Sequence, residues 1–140
     1  MTHRAVLYVE DEADDVFFME RAFQKAGLTH TLYAVGDGHQ AIAYLAGEQP
    51  FNRRTHPLPC AMLLDLNLPR ISGFDVLGWV RAHPELRDLP VIVFSSSGRW
   101  EDRERAEKLG ATQYLLKPIS GLEFVSIAAQ LKSTVFAADL

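Results

Sequence analysis

The chain has 140 residues, 48% of them apolar and 23% charged, which is the composition of one ordinary globular domain with a single core. No apolar run is long enough to span a membrane, and Ala5–Val9 is too short for a secretory signal, so a cytoplasmic protein is expected. Acids exceed bases by four, which disfavours nucleic-acid binding, and the single cysteine, Cys60, excludes an internal disulfide or a cysteine-built zinc site.

The segments alternate between strand and helix patterns. Arg4–Val9 reads as a short aliphatic strand that runs into acids. Ala13–Ala26 has helical spacing, with Phe18, Met19, Ala22, Phe23 and Ala26 on adjoining rows and Gly27 just past the end. Thr31–Val35 is the second strand. Asp37 is placed to N-cap a helix that runs through Ala46. The stretch 47–59 is polar, carries three prolines and reads as a loop. Cys60–Leu64 is nearly all apolar and ends in Asp65, which fits a strand buried on both faces of a parallel sheet. Gly73–Ala82 is helical and stops before His83-Pro84. Leu89–Phe94 is another buried strand, Arg99–Leu109 a charged helix closed by Gly110, and Gln113–Leu116 the last strand. A final helix begins at Ser120.

Five strands alternating with five helices imply βαβ units, a parallel sheet and right-handed crossovers. In such sheets the ligand site lies at the carboxyl ends of the strands. Here those ends carry Glu10 and Asp11, then Asp65, Ser95 and Lys117. Clustered acids repel and raise one another's pKa unless a cation offsets them, and an all-oxygen set favours a hard cation such as Mg²⁺. Asp65 and Lys117 both sit at the end of apolar runs, an expensive place for an unpaired charge. Glu12, Asp14 and Asp15 are read instead as charges that favour the first turn of a helix.

These strand-end motifs resemble those of the receiver domain of two-component response regulators. The resemblance rests on Val9-Glu10-Asp11, on Leu63-Leu64-Asp65-Leu66-Asn67-Leu68-Pro69 with Ser72-Gly73, on Val91–Phe94 with Ser95-Ser96, and on Tyr114-Leu115-Leu116-Lys117-Pro118. It covers essentially the whole chain and implies a flavodoxin-like, doubly wound sheet in the order 2-1-3-4-5. It implies that Asp65 accepts a phosphoryl group from a sensor histidine kinase. Glu10, Asp11, Asp65 and the backbone carbonyl of Asn67 are then the Mg²⁺ site. Ser95, with Ser96 beside it, is the switch hydroxyl region, Lys117 the phosphoryl-binding cation, and Tyr114 the aromatic that follows Ser95. The Lys117–Pro118 bond is expected to be cis. Such a protein is no enzyme beyond its own phosphorylation and dephosphorylation. Glu10 and Ser95 replace a commoner aspartate and threonine and keep the needed oxygens. The start of the chain and the long 47–59 loop look most like regulators paired with phytochrome-type or hybrid kinases.

Competing chemistries fit less well. A haloacid-dehalogenase-type phosphatase needs an aspartate where Asn67 stands, a flavin carrier needs a phosphate loop where the first acids stand, and no P-loop motif is present. A pseudo-receiver adaptor would lack some of the acids or the lysine. The expected organisation is one receiver domain over residues 1–140 without an output domain, so output must come through binding a downstream protein. In the final segment Phe124, Ile127, Ala128, Leu131 and Val135 form one apolar row, and Leu122, Val125, Ala129 and Phe136 a second. With Trp100 and Arg103 of the preceding helix, the second row is the expected homodimer surface, within a segment 120–140.

Overall fold

A computed structural model describes residues 4–137. The chain runs β1 (Ala5–Val9), α1 (Ala13–Lys25), β2 (Thr31–Val35), α2 (Gly38–Ala46), β3 (Ala61–Leu64), α3 (Gly73–Ala82), β4 (Val91–Ser95), α4 (Trp100–Lys108), β5 (Gln113–Leu116) and α5 (Phe124–Ser133). Single 3₁₀ turns at Pro84–Leu86 and Gly121–Glu123 precede β4 and α5. All strand pairs are parallel and the sheet order is β2-β1-β3-β4-β5. This is the parallel sheet expected from the alternation, in the doubly wound order that the receiver resemblance implies.

The pleat sorts the central strands between two cores. Val6 and Tyr8, Ala61 and Leu63, and Ile92 and Phe94 face α1 and α5, where Met19, Phe23, Phe124 and Leu131 meet them. Leu7, Val9, Met62 and Leu64 face α2 and α3, against Tyr44, Leu45, Val76, Leu77 and Val80. Burial on both faces explains why these strands read as continuous apolar runs.

The helix starts are built locally. The Asp37 carboxylate accepts from the Gln40 N–H at 2.8 Å, and Gly47 closes α2 in the left-handed region at φ 71°. Ser72 and Asp75 form a reciprocal capping box on α3. Gly73 opens that helix directly under the Asp65 backbone: a Cβ there would overlap the Asp65 carbonyl oxygen and lie 2.8 Å from Leu66 Cα. The glycine is therefore what lets α3 start against the end of β3.

Two expectations change. The Lys117–Pro118 bond is trans; among the described residues the one cis peptide bond is Gln49–Pro50. With the trans bond, the Lys117 N–H already donates to the Ser95 carbonyl at 2.8 Å and its side chain already reaches the acids, so the preference of X–Pro bonds for trans is unopposed. The second correction concerns Phe136. Helix α5 stops at Ser133, the chain turns back, and Phe136 enters the α1/α5 core fully buried, against Phe23 and stacked on His30 at 4.3 Å. It is a core residue because it no longer follows the helical phase that placed it with Leu122. Residues 138–140 of the expected 120–140 surface lie outside the described residues.

Candidate functional site

The carboxyl ends of β1, β3 and β5 bring Glu10, Asp11, Asp65 and Lys117 together. Glu10 and Asp65 are only 3% and 4% exposed, whereas Asp11 faces solvent. A carboxylate oxygen from each of the three acids lies within 4.8 Å of the others. Three hard oxygen donors this close together fit a divalent cation of the Mg²⁺ or Mn²⁺ class and suit softer metals poorly.

Lys117 is the counter-charge. Its Nζ stands 2.5 Å from Glu10 Oε1, 3.0 Å from Asp15 Oδ2 and 3.1 Å from Asp65 Oδ2. Burial works against the lysine charge, but Glu10, Asp65 and Asp15 outweigh it and hold the ammonium above the usual lysine range. Burial likewise pushes the Glu10 carboxyl up to about 7; Lys117 opposes the rise and Asp65 adds to it. Both Glu10 oxygens are engaged, Oε1 with Lys117 and the Tyr8 hydroxyl, Oε2 with the Glu12 N–H at 3.2 Å. Burial and the neighbouring Glu10 carboxylate push the Tyr8 phenol up, so it stays a neutral donor. The Asn67 N–H donates to Asp65 Oδ1 at 3.1 Å and fixes the turn after β3.

Ser95 ends β4 fully buried, and Ser96 after it is exposed. The Ser95 hydroxyl accepts from the Ser97 N–H at 3.1 Å, and the Ser97 carbonyl accepts from the Tyr114 hydroxyl at 2.8 Å. Ser95 and Tyr114 are thus connected through one loop residue rather than by direct contact. Tyr114 lies inward, with the Arg103 guanidinium 4.8 Å above its ring. The Ser97 hydroxyl also donates to Asp102 Oδ2 at 2.6 Å, which ties this loop to the first turn of α4.

On the outer surface Trp100 is 69% and Leu122 78% exposed, Ala129 is exposed, and Val125 is half-buried against the core. The expected surface residues other than Phe136 therefore keep at least a partly open face.

Asp15 is the site residue that sequence reasoning missed. As the third residue of α1 it has the position of a helix-start charge, and only the packing of α1 against α5, on the face of the sheet where β5 ends, turns it onto Lys117. The available signal was its place four residues beyond Asp11, on a helix that starts at the same sheet edge.

The comparisons agree with this geometry. The sequence matches the response regulator receiver domain family over residues 6–129. Response regulator Rcp1 of Synechocystis sp. is 32% identical over 114 residues, covering 81% of this chain and 76% of that protein. A probable methanogenesis regulatory protein of Methanothrix harundinacea, FilR2, is 35% identical over 115 residues, covering 82% and 72% respectively. Among solved structures, the phosphorylated cyanobacterial phytochrome response regulator RcpA superposes with a TM-score of 0.89 at 28% identity, over 98% of this chain and 96% of that one. The Mn²⁺-bound form of Rcp1 does so with a TM-score of 0.84 at 27% identity, over 94% and 93%. The family match runs through all five strands and the acids at their ends, so the chain belongs to the response regulator receiver domain family and is a two-component response regulator.

Proposed function

We propose that Asp65 is the phosphoryl acceptor and that the donor is the phosphohistidine of a sensor histidine kinase. The observation that carries this is the Asp65 carboxylate, buried at the end of β3 with Lys117 Nζ at 3.1 Å and the Glu10 and Asp11 carboxylates beside it. An Asp65 oxygen attacks phosphorus, the N–P bond of the phosphohistidine breaks, and its electron pair returns to the imidazole, which takes up a proton. The product on this chain is an aspartyl phosphate. Such a transfer needs positioning and charge neutralisation more than covalent machinery. Glu10, Asp11, Asp65 and the Asn67 carbonyl would hold Mg²⁺, which when bound supplies neutralising charge to the phosphoryl oxygens. Lys117 supplies a second cation and the Ser95 hydroxyl a hydrogen bond.

A phosphoryl group at Asp65 offers new acceptors to Ser95 and Lys117. Drawing Ser95 inward breaks its bond to Ser97, which also holds the Tyr114 hydroxyl, so Tyr114 and the start of α4 move with it. The surface of α4, β5 and α5, with Trp100, Arg103, Leu122, Val125 and Ala129, then changes for a second copy of the chain or a downstream protein. The likeness to phytochrome response regulators supports a phytochrome-type kinase as donor. No helix among the described residues is long and apolar enough to cross a membrane, and we place the protein in the cytoplasm with its kinase.

The test is incubation with acetyl phosphate, with and without Mg²⁺, followed by intact-mass measurement. The account expects a gain of one phosphoryl group that requires Mg²⁺. Equal uptake in a chelator would contradict the role given to the acids.

A further inference from the structure

Lys117 is shared by three carboxylates, and only two of them belong to the acidic trio that can hold a cation. An ammonium has three N–H donors, so Glu10, Asp15 and Asp65 together satisfy it. Two of these partners change during the reaction. Glu10 has both oxygens occupied, by Lys117 and Tyr8 on one side and by the Glu12 N–H on the other. A cation ligated by Glu10 would draw the carboxylate's negative charge toward itself and weaken its hold on Lys117. Asp65 loses its carboxylate charge when it becomes an acyl phosphate.

Asp15 does neither. It lies outside the trio, in the first turn of α1, where its own N–H is bonded to the Glu12 carbonyl at 3.1 Å and the helix start favours its negative charge. Helix α1 is pinned to the sheet by Met19, Ala22 and Phe23, so this carboxylate is a fixed point.

We infer that Asp15 is a positioning residue that keeps the Lys117 ammonium beside Asp65 once Glu10 turns to the cation. It acts through Lys117 and touches neither donor nor metal. The inference rests on the reading of Asp65 as acceptor. A charge-assisted hydrogen bond of this length is strong enough to decide where a flexible lysine points.

The experiment measures the rate of phosphoryl uptake from acetyl phosphate at saturating Mg²⁺ in Asp15→Ala, Asp15→Asn and the parent chain. Mg²⁺ affinity is measured in parallel by calorimetry, and folding by circular dichroism. Asp15→Ala is expected to slow uptake about tenfold while Mg²⁺ affinity stays within about twofold, because the loss is one of positioning. Asp15→Asn, nearly isosteric and still an acceptor, should recover most of the rate. An unchanged or faster rate in Asp15→Ala overturns the inference. So does an equal loss in Asp15→Asn, or a fall in Mg²⁺ affinity that matches the fall in rate. Asp65→Asn separates the two readings. Uptake that persists there sinks the acceptor assignment itself, whereas uptake abolished there but normal in Asp15→Ala sinks only the role of Asp15.

Discussion

The carboxyl edge of the sheet and the 47–59 loop beside α2 treat polar groups in opposite ways. In the loop, the polar groups compensate one another locally. Arg53 donates to the Tyr44 and Leu45 carbonyls at 2.8 and 2.5 Å, Tyr44 donates to the Pro57 carbonyl at 2.9 Å, and Asn52 accepts from the N–H groups of Arg54 and Thr55. The rings of Tyr33, Tyr44, Phe51 and His56 pack around this network with centroids 5.3–5.9 Å apart. The Ala43, Tyr44 and Leu45 carbonyls near the end of α2 and the N–H groups of Phe51, Arg54, Thr55 and His56 all have partners, as a structural connection requires. At the carboxyl edge Glu10, Asp11, Asp15 and Asp65 face one lysine. That imbalance costs stability in the metal-free protein and is useful only if a cation and a phosphoryl group complete it. Chemistry belongs to the charges the fold leaves undercompensated, rather than to its richest hydrogen-bond network.

Substitutions can break this contrast. The largest effect is Asp65→Asn, which should abolish phosphoryl uptake while the protein stays folded, read by intact mass and circular dichroism. Tyr44→Ala should do the reverse. It removes a fully buried ring and a hydrogen bond and should cost about 3–5 kcal/mol in urea melts. Uptake per folded molecule should remain.

The pH dependence sharpens the contrast further. Glu10 is held at about 7 in the folded, metal-free protein against an ordinary 4.5, so the folded state binds this proton more tightly than the unfolded chain does. Its favourable contribution is complete below about 4.5 and is lost as pH rises to about 7, on the order of a few kcal/mol. A cation held by Glu10 would take the place of this proton. The Mg²⁺-induced rise in melting temperature should therefore be larger near pH 8 than near pH 5, and a rise independent of pH would contradict the placement of Glu10 at the cation.

Gly73→Ala joins the two regimes. The added Cβ meets Asp65 backbone, so the variant should lose about 1–3 kcal/mol in urea melts and also slow phosphoryl uptake. The smallest effect is Trp100→Ala. Its ring is 69% exposed, so monomer stability should move by less than about 0.5 kcal/mol. Sedimentation should shift toward monomer if α4 is the dimer surface.

Much of this was legible in the sequence. Apolar runs that end in acids marked β1 and β3 and placed Asp65, because four or five consecutive apolar residues fit a short strand buried on both faces. Gly73 was visible as a motif but not as a contact, since its reason is the approach of α3 to Asp65 in space. Asp15 was hidden because a helix-start acid and a lysine partner more than a hundred residues away look alike in one dimension. Phe136 was misplaced because a helical wheel assumes the helix continues, and α5 ends at Ser133. The Lys117–Pro118 isomer was carried by resemblance alone, and the lysine reaches its partners with the trans bond.

The central claim is that the acid at the end of β3 carries the phosphoryl group. Borohydride reduces an aspartyl phosphate to homoserine, so trapping the phosphorylated protein and mapping its peptides by mass spectrometry reads the position directly. The account predicts homoserine at position 65 and nowhere else. Reduction at Glu10, Asp11 or Asp15, with residue 65 still aspartate, would contradict it.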